Sequence, residues 1–187
     1  FDENLIDDLN LRNQEDLQNY IPATTIQPYD ISIRGIGRVF RALGGDPGVG
    51  TYADGAYSED FGIASTENGL YDVARIEVLR GPQGTLFGAN STGGVVNIIT
   101  KSPENEYSGK AQVTIGDWNR FDVKAAANLP INDNTSLRLS ALHTGRDGFI
   151  ENVYDGSDIG EINVNSIRAT LGYDSGEDFS LTWSTEV

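Results

Sequence analysis

LRGPQGTLFGANSTGGVVNIITK runs from Leu79 to Lys101. An arginine closes an apolar strand, Gly81-Pro82 breaks it, and glycines recur at Gly84, Gly88, Gly93 and Gly94 before a second strand from Val95 to Thr100. Pro82 fixes its own φ and lacks a donor for a strand ladder, so the strand from Asp72 to Leu79 must end near Gly81. Glycine at this density means that the backbone turns tightly or meets other backbone closely. By itself the stretch is a Gly-rich hairpin of a β-containing domain.

Three further segments sit around it: SIRGIG (Ser32 to Gly37), PGVGTYADGAY (Pro47 to Tyr57) and DVARIEVLRGPQGTLFG (Asp72 to Gly88). With the first stretch, and in this order, they closely resemble the plug domain of TonB-dependent outer-membrane receptors. The resemblance covers Ile6 to about Pro103. It implies an α+β plug over residues 1–105, followed over residues 106–187 by the opening strands of a 22-stranded transmembrane β-barrel. The chain is then a fragment of a receptor several times longer.

Composition agrees with part of this. The 28 acidic and 13 basic residues give a formal charge of −15, which argues against nucleic acid or an anionic surface as partner. There is no Cys, so disulfides and thiolate metal sites are excluded. The chain also lacks Met and opens at Phe1 with no basic, apolar leader, which leads us to expect a processed or trimmed chain. No apolar run approaches the roughly 18–20 residues of a membrane helix, so a membrane role requires strands.

Along the first hundred residues, Asn13 is placed to cap a short helix over 14–20 that Pro22 terminates. Ile31 and Ile33 mark a short strand bending at Gly35, and Asp54-Gly55 reads as a turn between short strands within 51–57. After Pro103 period-2 alternation takes over. Ala111, Val113, Ile115; Phe121, Val123, Ala125, Ala127, Leu129; Leu137, Leu139, Ala141; Ile167, Ala169, Leu171, Tyr173; and Phe179, Leu181, Trp183 each alternate with polar residues, giving five strands in a meander.

Five strands cannot close on themselves, so one layer of a soluble sandwich competes with the first strands of a larger barrel. The connections at 117–119, 130–134 and 175–177 are short and the one at 146–161 is long, as in barrels whose periplasmic turns are short and whose extracellular loops are long. Tyr107, Trp118, Tyr173 and Trp183 lie near strand ends, where interfacial aromatics belong. The rival is a soluble extracellular β protein that binds glycan or calcium through Asp- and Tyr-rich loops.

Several motifs lead nowhere. GDPGVGT (Gly45 to Thr51) has the glycine spacing of a phosphate loop but lacks its Lys, and no helix follows. Asp155, Ser157, Asp158 and Glu161 miss the EF-hand spacing and read as a solvated acidic loop, and His143, the lone histidine, has no second soft ligand. No catalytic constellation and no cofactor or metal site is expected.

Site residues come from the resemblance and from loop chemistry. Arg34 and Arg80 each follow apolar strand residues and precede a glycine; in similar plugs such arginines pair with barrel-wall glutamates, which here lie in strands beyond this chain. Gly35, Gly81, Gly84, Gly88, Gly93 and Gly94 are the expected turn and hinge glycines. The irregular segment from Arg38 to Phe61 is expected to face an extracellular ligand through Arg38, Arg41, Tyr52, Asp54, Tyr57 and Phe61. The resemblance further implies uptake of a scarce nutrient (a siderophore-iron chelate, haem, cobalamin or an oligosaccharide) across the bacterial outer membrane, in contact with outer-membrane lipid and driven by the TonB-ExbB-ExbD complex. No TonB-box-like segment precedes the plug-like stretch, so that contact is assigned to no residue here.

Overall fold

The computed structural model describes residues 1–27, 30–38, 46–58, 69–176 and 179–187. It divides into two compact units, Phe1–Thr100 and Lys101–Val187, with the break ahead of the boundary expected at Asn105. Asn128 explains the difference. Its side chain binds the backbone at Glu104 and Glu106, so the segment after Thr100 is part of the second unit's packing.

The first unit opens with α1 (Glu3–Asp8), which the sequence reading missed. Asp2 caps it, its carboxylate accepting from the Leu5 N–H at 2.9 Å. The expected helix after Asn13 is present as a 3-10 helix, Gln14–Asn19, with Asn13 Oδ1 accepting from Asp16 N. A small hairpin follows, β1 (Thr24–Gln27) and β2 (Asp30–Ile33), with Thr24 opposite Ile33.

The main sheet of this unit has four strands: β3 (Val49–Ala53), β4 (Ala56–Ser58), β5 (Val73–Arg80) and β6 (Gly94–Thr100). Their order is β4-β3-β6-β5, with β3 parallel to β6 and the other pairs antiparallel. The short helix α2 (Gly84–Phe87) lies in the β5–β6 connection. Ile6, Leu17, Ile31, Ile33, Val49, Ile76 and Val96 belong to one buried apolar cluster joining α1, the 3-10 helix and both sheets. This unit is built like an ordinary globular core.

The second unit is an antiparallel five-stranded meander, and all five expected strands are present. They are β7 (Ser108–Gly116), β8 (Arg120–Asn132), β9 (Thr135–Arg146), β12 (Ile162–Asp174) and β13 (Ser180–Glu186), hydrogen-bonded in sequence order. β8 runs through Pro130, where the register with β9 shifts, as suits a residue without an N–H. The turn is therefore confined to Asp133-Asn134. The long connection is not plain loop, since it carries a two-residue hairpin, β10 (Ile150–Glu151) with β11 (Asp158–Ile159).

Burial in this unit is inverted relative to the first. The polar face holds the buried residues: Asp122, Asn128, Ser136, Arg138, Ser140, Ser166, Arg168 and Thr170, with Leu142 among them. The apolar face is open, with Ile115 78%, Ile167 63% and Phe179 58% exposed. Buried charge on that polar face is partnered. Arg120 bonds Asp122 at 2.6 Å and Arg168 bonds Glu186 at 3.0 Å. All six basic residues after Asn105 (Lys110, Arg120, Lys124, Arg138, Arg146 and Arg168) lie on this same face by strand register.

A sandwich layer would hide Phe121 and Ile167 and leave Asp122 and Arg168 in water, so the soluble-sandwich alternative fails. A wall with lipid outside and a polar interior gives the observed order. β7, β8, β9 and β12 have 9, 13, 12 and 13 residues, which suffices for the roughly 9–11 that a tilted strand needs to cross a bilayer. No helix among the described residues is long and apolar enough to cross one.

Candidate functional site: the glycine-packed end of the plug sheet

At one end of the four-stranded sheet, β5 closes at Arg80 directly opposite Gly94 of β6. Gly81 N donates to Gly93 O at 3.0 Å, and Gly93 N donates to Gly48 O at 2.7 Å. Three chain segments thus meet backbone to backbone. A Cβ on Gly93 would fall 2.8–3.0 Å from Ile36, its carbonyl oxygen included, and one on Gly94 (φ +149°) would run into the Leu79 carbonyl. Gly35, Gly81 and Gly88 owe their identity to positive φ alone, having open space where a Cβ would go. Gly84 has neither constraint, so it differs from the expected hinge set: it begins α2 in ordinary backbone with nothing near it.

Arg34 and Gly35 (φ 55° and 77°) form the two-residue turn between Ile33 and Ile36, whose N–H and C=O groups bond each other reciprocally at 3.0 Å. This left-handed turn turns the Arg34 side chain out of the unit's core. Both Arg34 and Arg80 are exposed, and neither guanidinium has a hydrogen bond or ion pair among the described residues.

The structure does not bring the six expected ligand-facing residues together. Arg38 is at the glycine-packed end, its N–H shared by both Asp30 carboxylate oxygens at 3.2 Å. Asp54 sits at the opposite end, in the β3–β4 turn, where its carboxylate accepts from Thr100 N (2.7 Å) and Thr100 Oγ1 (2.8 Å). Asp54 therefore holds the last residue of β6 in place, which a local reading of an Asp-Gly turn could not reveal. Tyr52 is buried, donates its hydroxyl to Phe87 O at 2.6 Å and packs edge-on against Phe87 and Tyr57. Burial, and then the nearby Tyr57, push its hydroxyl pKa above the ordinary value. Its O–H anchors α2 to the sheet. Tyr57 remains exposed, accepting from Asn90 Nδ2 at 2.9 Å. Arg41 and Phe61 lie outside the described residues.

Two polar groups escaped the sequence reading. Asn97, buried on β6, donates to Glu77, whose carboxyl is held below its ordinary pKa chiefly by the hydrogen bond from Arg75. Asn128, 1% exposed, donates through Nδ2 to the Glu104 and Glu106 carbonyls while its Oδ1 accepts from Glu104 N at 2.9 Å. The only sequence signal was an amide ending a run of three alanines on β8.

Comparison with known proteins fits this geometry. The family model for the TonB-dependent receptor plug domain matches residues 1–95. An iron-regulated outer membrane virulence protein of Vibrio cholerae is 31% identical over 185 residues, covering 91% of this chain and 27% of that protein. The ferripyoverdine receptor of Pseudomonas aeruginosa is 29% identical over 147 residues, covering 76% and 17%. Among solved structures, the ferric yersiniabactin uptake receptor of Yersinia pestis superimposes with a TM-score of 0.86 at 25% identity, covering all of this chain and 30% of that one. The chain thus spans under a third of the length of these proteins. A glycine-packed plug sheet joined to an inverted five-strand wall, and a plug-domain match over half its length, make this chain a member of the TonB-dependent outer-membrane receptor family, comprising its plug and first barrel strands.

Proposed function

We propose that the receptor to which this chain belongs imports a ferric siderophore across the bacterial outer membrane, with the plug closing the barrel and the TonB-ExbB-ExbD complex supplying the work that moves it. The observation that carries this reading is the coupling of a plug unit to a wall whose apolar side is open and whose polar side is buried. A wall of this kind encloses a polar lumen, and a wide lumen leaks unless something fills it. The names of the relatives, ferripyoverdine receptor and ferric yersiniabactin uptake receptor, favour an iron chelate over cobalamin or an oligosaccharide.

Within that reading, Arg34 and Arg80 lock the plug to carboxylates of barrel strands that follow Val187. Exposure without a described partner supports this, since an arginine destined for a wall carboxylate looks bare when that wall is missing. Arg38, Arg41, Tyr57 and Phe61 remain the proposed ligand-facing set. Tyr52 and Asp54 leave it, because Tyr52 is buried with its O–H on Phe87 and Asp54 lies at the end of the sheet away from Arg38.

The test is iron accumulation by a receptor-deficient strain expressing the full-length protein, with and without a functional energy-coupling complex. Uptake of radioactive iron from ferric siderophores that depends on both is the expected result. Iron uptake that is indifferent to the receptor would refute the proposal.

A further inference from the structure

Residues 101–107 form neither strand nor helix, so no ladder of their own fixes their course. The wall fixes it from three places. Asn128 of β8 meets Glu104 as a second peptide group would, its Oδ1 accepting from Glu104 N and its Nδ2 donating to Glu104 O, and the same Nδ2 also reaches Glu106 O. Asn105 Nδ2 donates at 2.8 Å to Asp133 O, in the turn between β8 and β9. Pro103 lies over Gly172 of β12, where a Cβ would stand 3.4 Å from its ring.

Gly172 serves packing and not conformation, since its φ is not positive. It stands in a row across the polar face, where Pro130, Ser136, Gly172 and Thr182 are successive partners in register. A larger side chain on β12 at this point would lift Pro103 off the strand. Among the described residues, the hydrogen bonds of residues 104–106 all go to β8 or to the turn after it. Thr100, by contrast, belongs to the plug, its N–H and its hydroxyl both donating to the Asp54 carboxylate. Only Lys101 and Ser102 separate the two attachments.

We propose that residues 103–106 are a strap that belongs mechanically to the wall: it stays docked when the plug rearranges, and it holds the end of β6 while the rest of the plug moves. The three peptide steps from Thr100 to Pro103 reach at most about 11 Å. While the strap is docked, the last residue of β6 keeps within that distance of Pro103. The freedom left to the plug sheet therefore grows towards its glycine-packed end, at Gly93 and Gly94, and the plug opens by changing within itself. This consequence for transport rests on the uptake reading, whereas the docking of the strap does not.

In the full-length receptor, hydrogen exchange at the Glu104 amide is compared with exchange in β5 and β6 while the plug is loosened, by Gly94→Ala or by urea added to the wild type. The β5 and β6 amides are expected to exchange roughly a hundredfold faster in Gly94→Ala while Glu104 stays as protected as before. Loss of Glu104 protection together with β6 would make the strap part of the plug and overturn the proposal. Pro103→Cys combined with Gly172→Cys carries the test into transport, because the 3.4 Å between those positions is close to the roughly 3.5–4.5 Å between the Cβ atoms of a disulfide, and this chain has no cysteine of its own. The pair should oxidise to a crosslink, and iron accumulation through the crosslinked receptor should match that through the reduced one. Uptake lost on oxidation and restored by a reductant, or a pair that does not crosslink, overturns the proposal. Where the reduced pair already takes up no iron, the exchange comparison decides alone, and it stands whether or not the uptake reading does.

Discussion

Replacing Asn128 separates a structural clamp from an incidental polar residue. Its amide makes three hydrogen bonds to the segment that leaves the plug, two as donor to the Glu104 and Glu106 carbonyls and one as acceptor from Glu104 N. At roughly 1 kcal/mol net per bond the set is worth about 3 kcal/mol. Glu104 and Glu106 are themselves exposed, so water can restore part of what Asn128→Ala removes, leaving a local loss of about 2 kcal/mol. Asn128→Asp is the sharper probe. Nearly isosteric, it keeps the acceptor for Glu104 N but turns both donor contacts into a carboxylate facing two carbonyl oxygens at a site 1% exposed. The aspartate should therefore be worse than the alanine, although it is the smaller change in shape. Hydrogen exchange of the Glu104 amide in the full-length receptor reads this directly, with about thirtyfold faster exchange expected for Asn128→Ala. The amides of β5 and β6 serve as internal controls. Unchanged Glu104 protection in the alanine variant, or an aspartate milder than the alanine, would refute the reasoning.

Gly94→Ala should destabilise the plug by on the order of 3 kcal/mol, since its Cβ collides with the Leu79 carbonyl at a φ of +149°, whereas Gly84→Ala should be neutral or gain up to about 1 kcal/mol; plug-specific exchange in the two variants measures the contrast. If Arg80 locks the plug to wall carboxylates, Arg80→Ala in the full receptor costs on the order of 3–5 kcal/mol locally, against about half a kcal/mol for a solvated arginine, and unchanged protection over 81–94 returns it to the solvated case. Glu77 has its pKa lowered in the folded state, so its contribution is present above the ordinary value of 4.5 and is lost as pH falls through the lowered one. Plug exchange in acid should show a small, salt-sensitive loosening that Glu77→Gln lacks, small because the Arg75–Glu77 pair is largely exposed.

What the sequence made legible was local. Asn13 before Gln14, Asp54-Gly55 between apolar pairs, Gly81-Pro82 after an apolar run and five stretches of strict alternation each carry their geometry within a few residues, and each appears where expected. The departures among the polar side chains involve partners far apart in the chain. Tyr52 looked like a loop aromatic until Phe87 closed over it, 35 residues on, and Asp54 looked like a free turn carboxylate until Thr100 took both its oxygens across 46 residues. Asn128 reaches back 24 residues to Glu104 with no periodicity to announce it. Side chains whose role is to hold a distant backbone leave no pattern in the sequence around them.

The wall posed a different difficulty. Alternation says that a strand has two unlike faces, but it is unchanged by exchanging inside for outside, so Phe121 next to Asp122 serves a sandwich and a barrel equally well. The solvent, not the strand, decides which face is buried. Turn lengths leaned towards a barrel, yet only the burial of Asp122, Arg138 and Arg168, with Ile115 and Ile167 left open, breaks the symmetry. Once it is broken, the gathering of all six basic residues on one face acquires a cause. A lysine or arginine facing lipid costs roughly 2–4 kcal/mol at the bilayer midplane, while on the lumen side it can find a carboxylate, as Arg120 and Arg168 do.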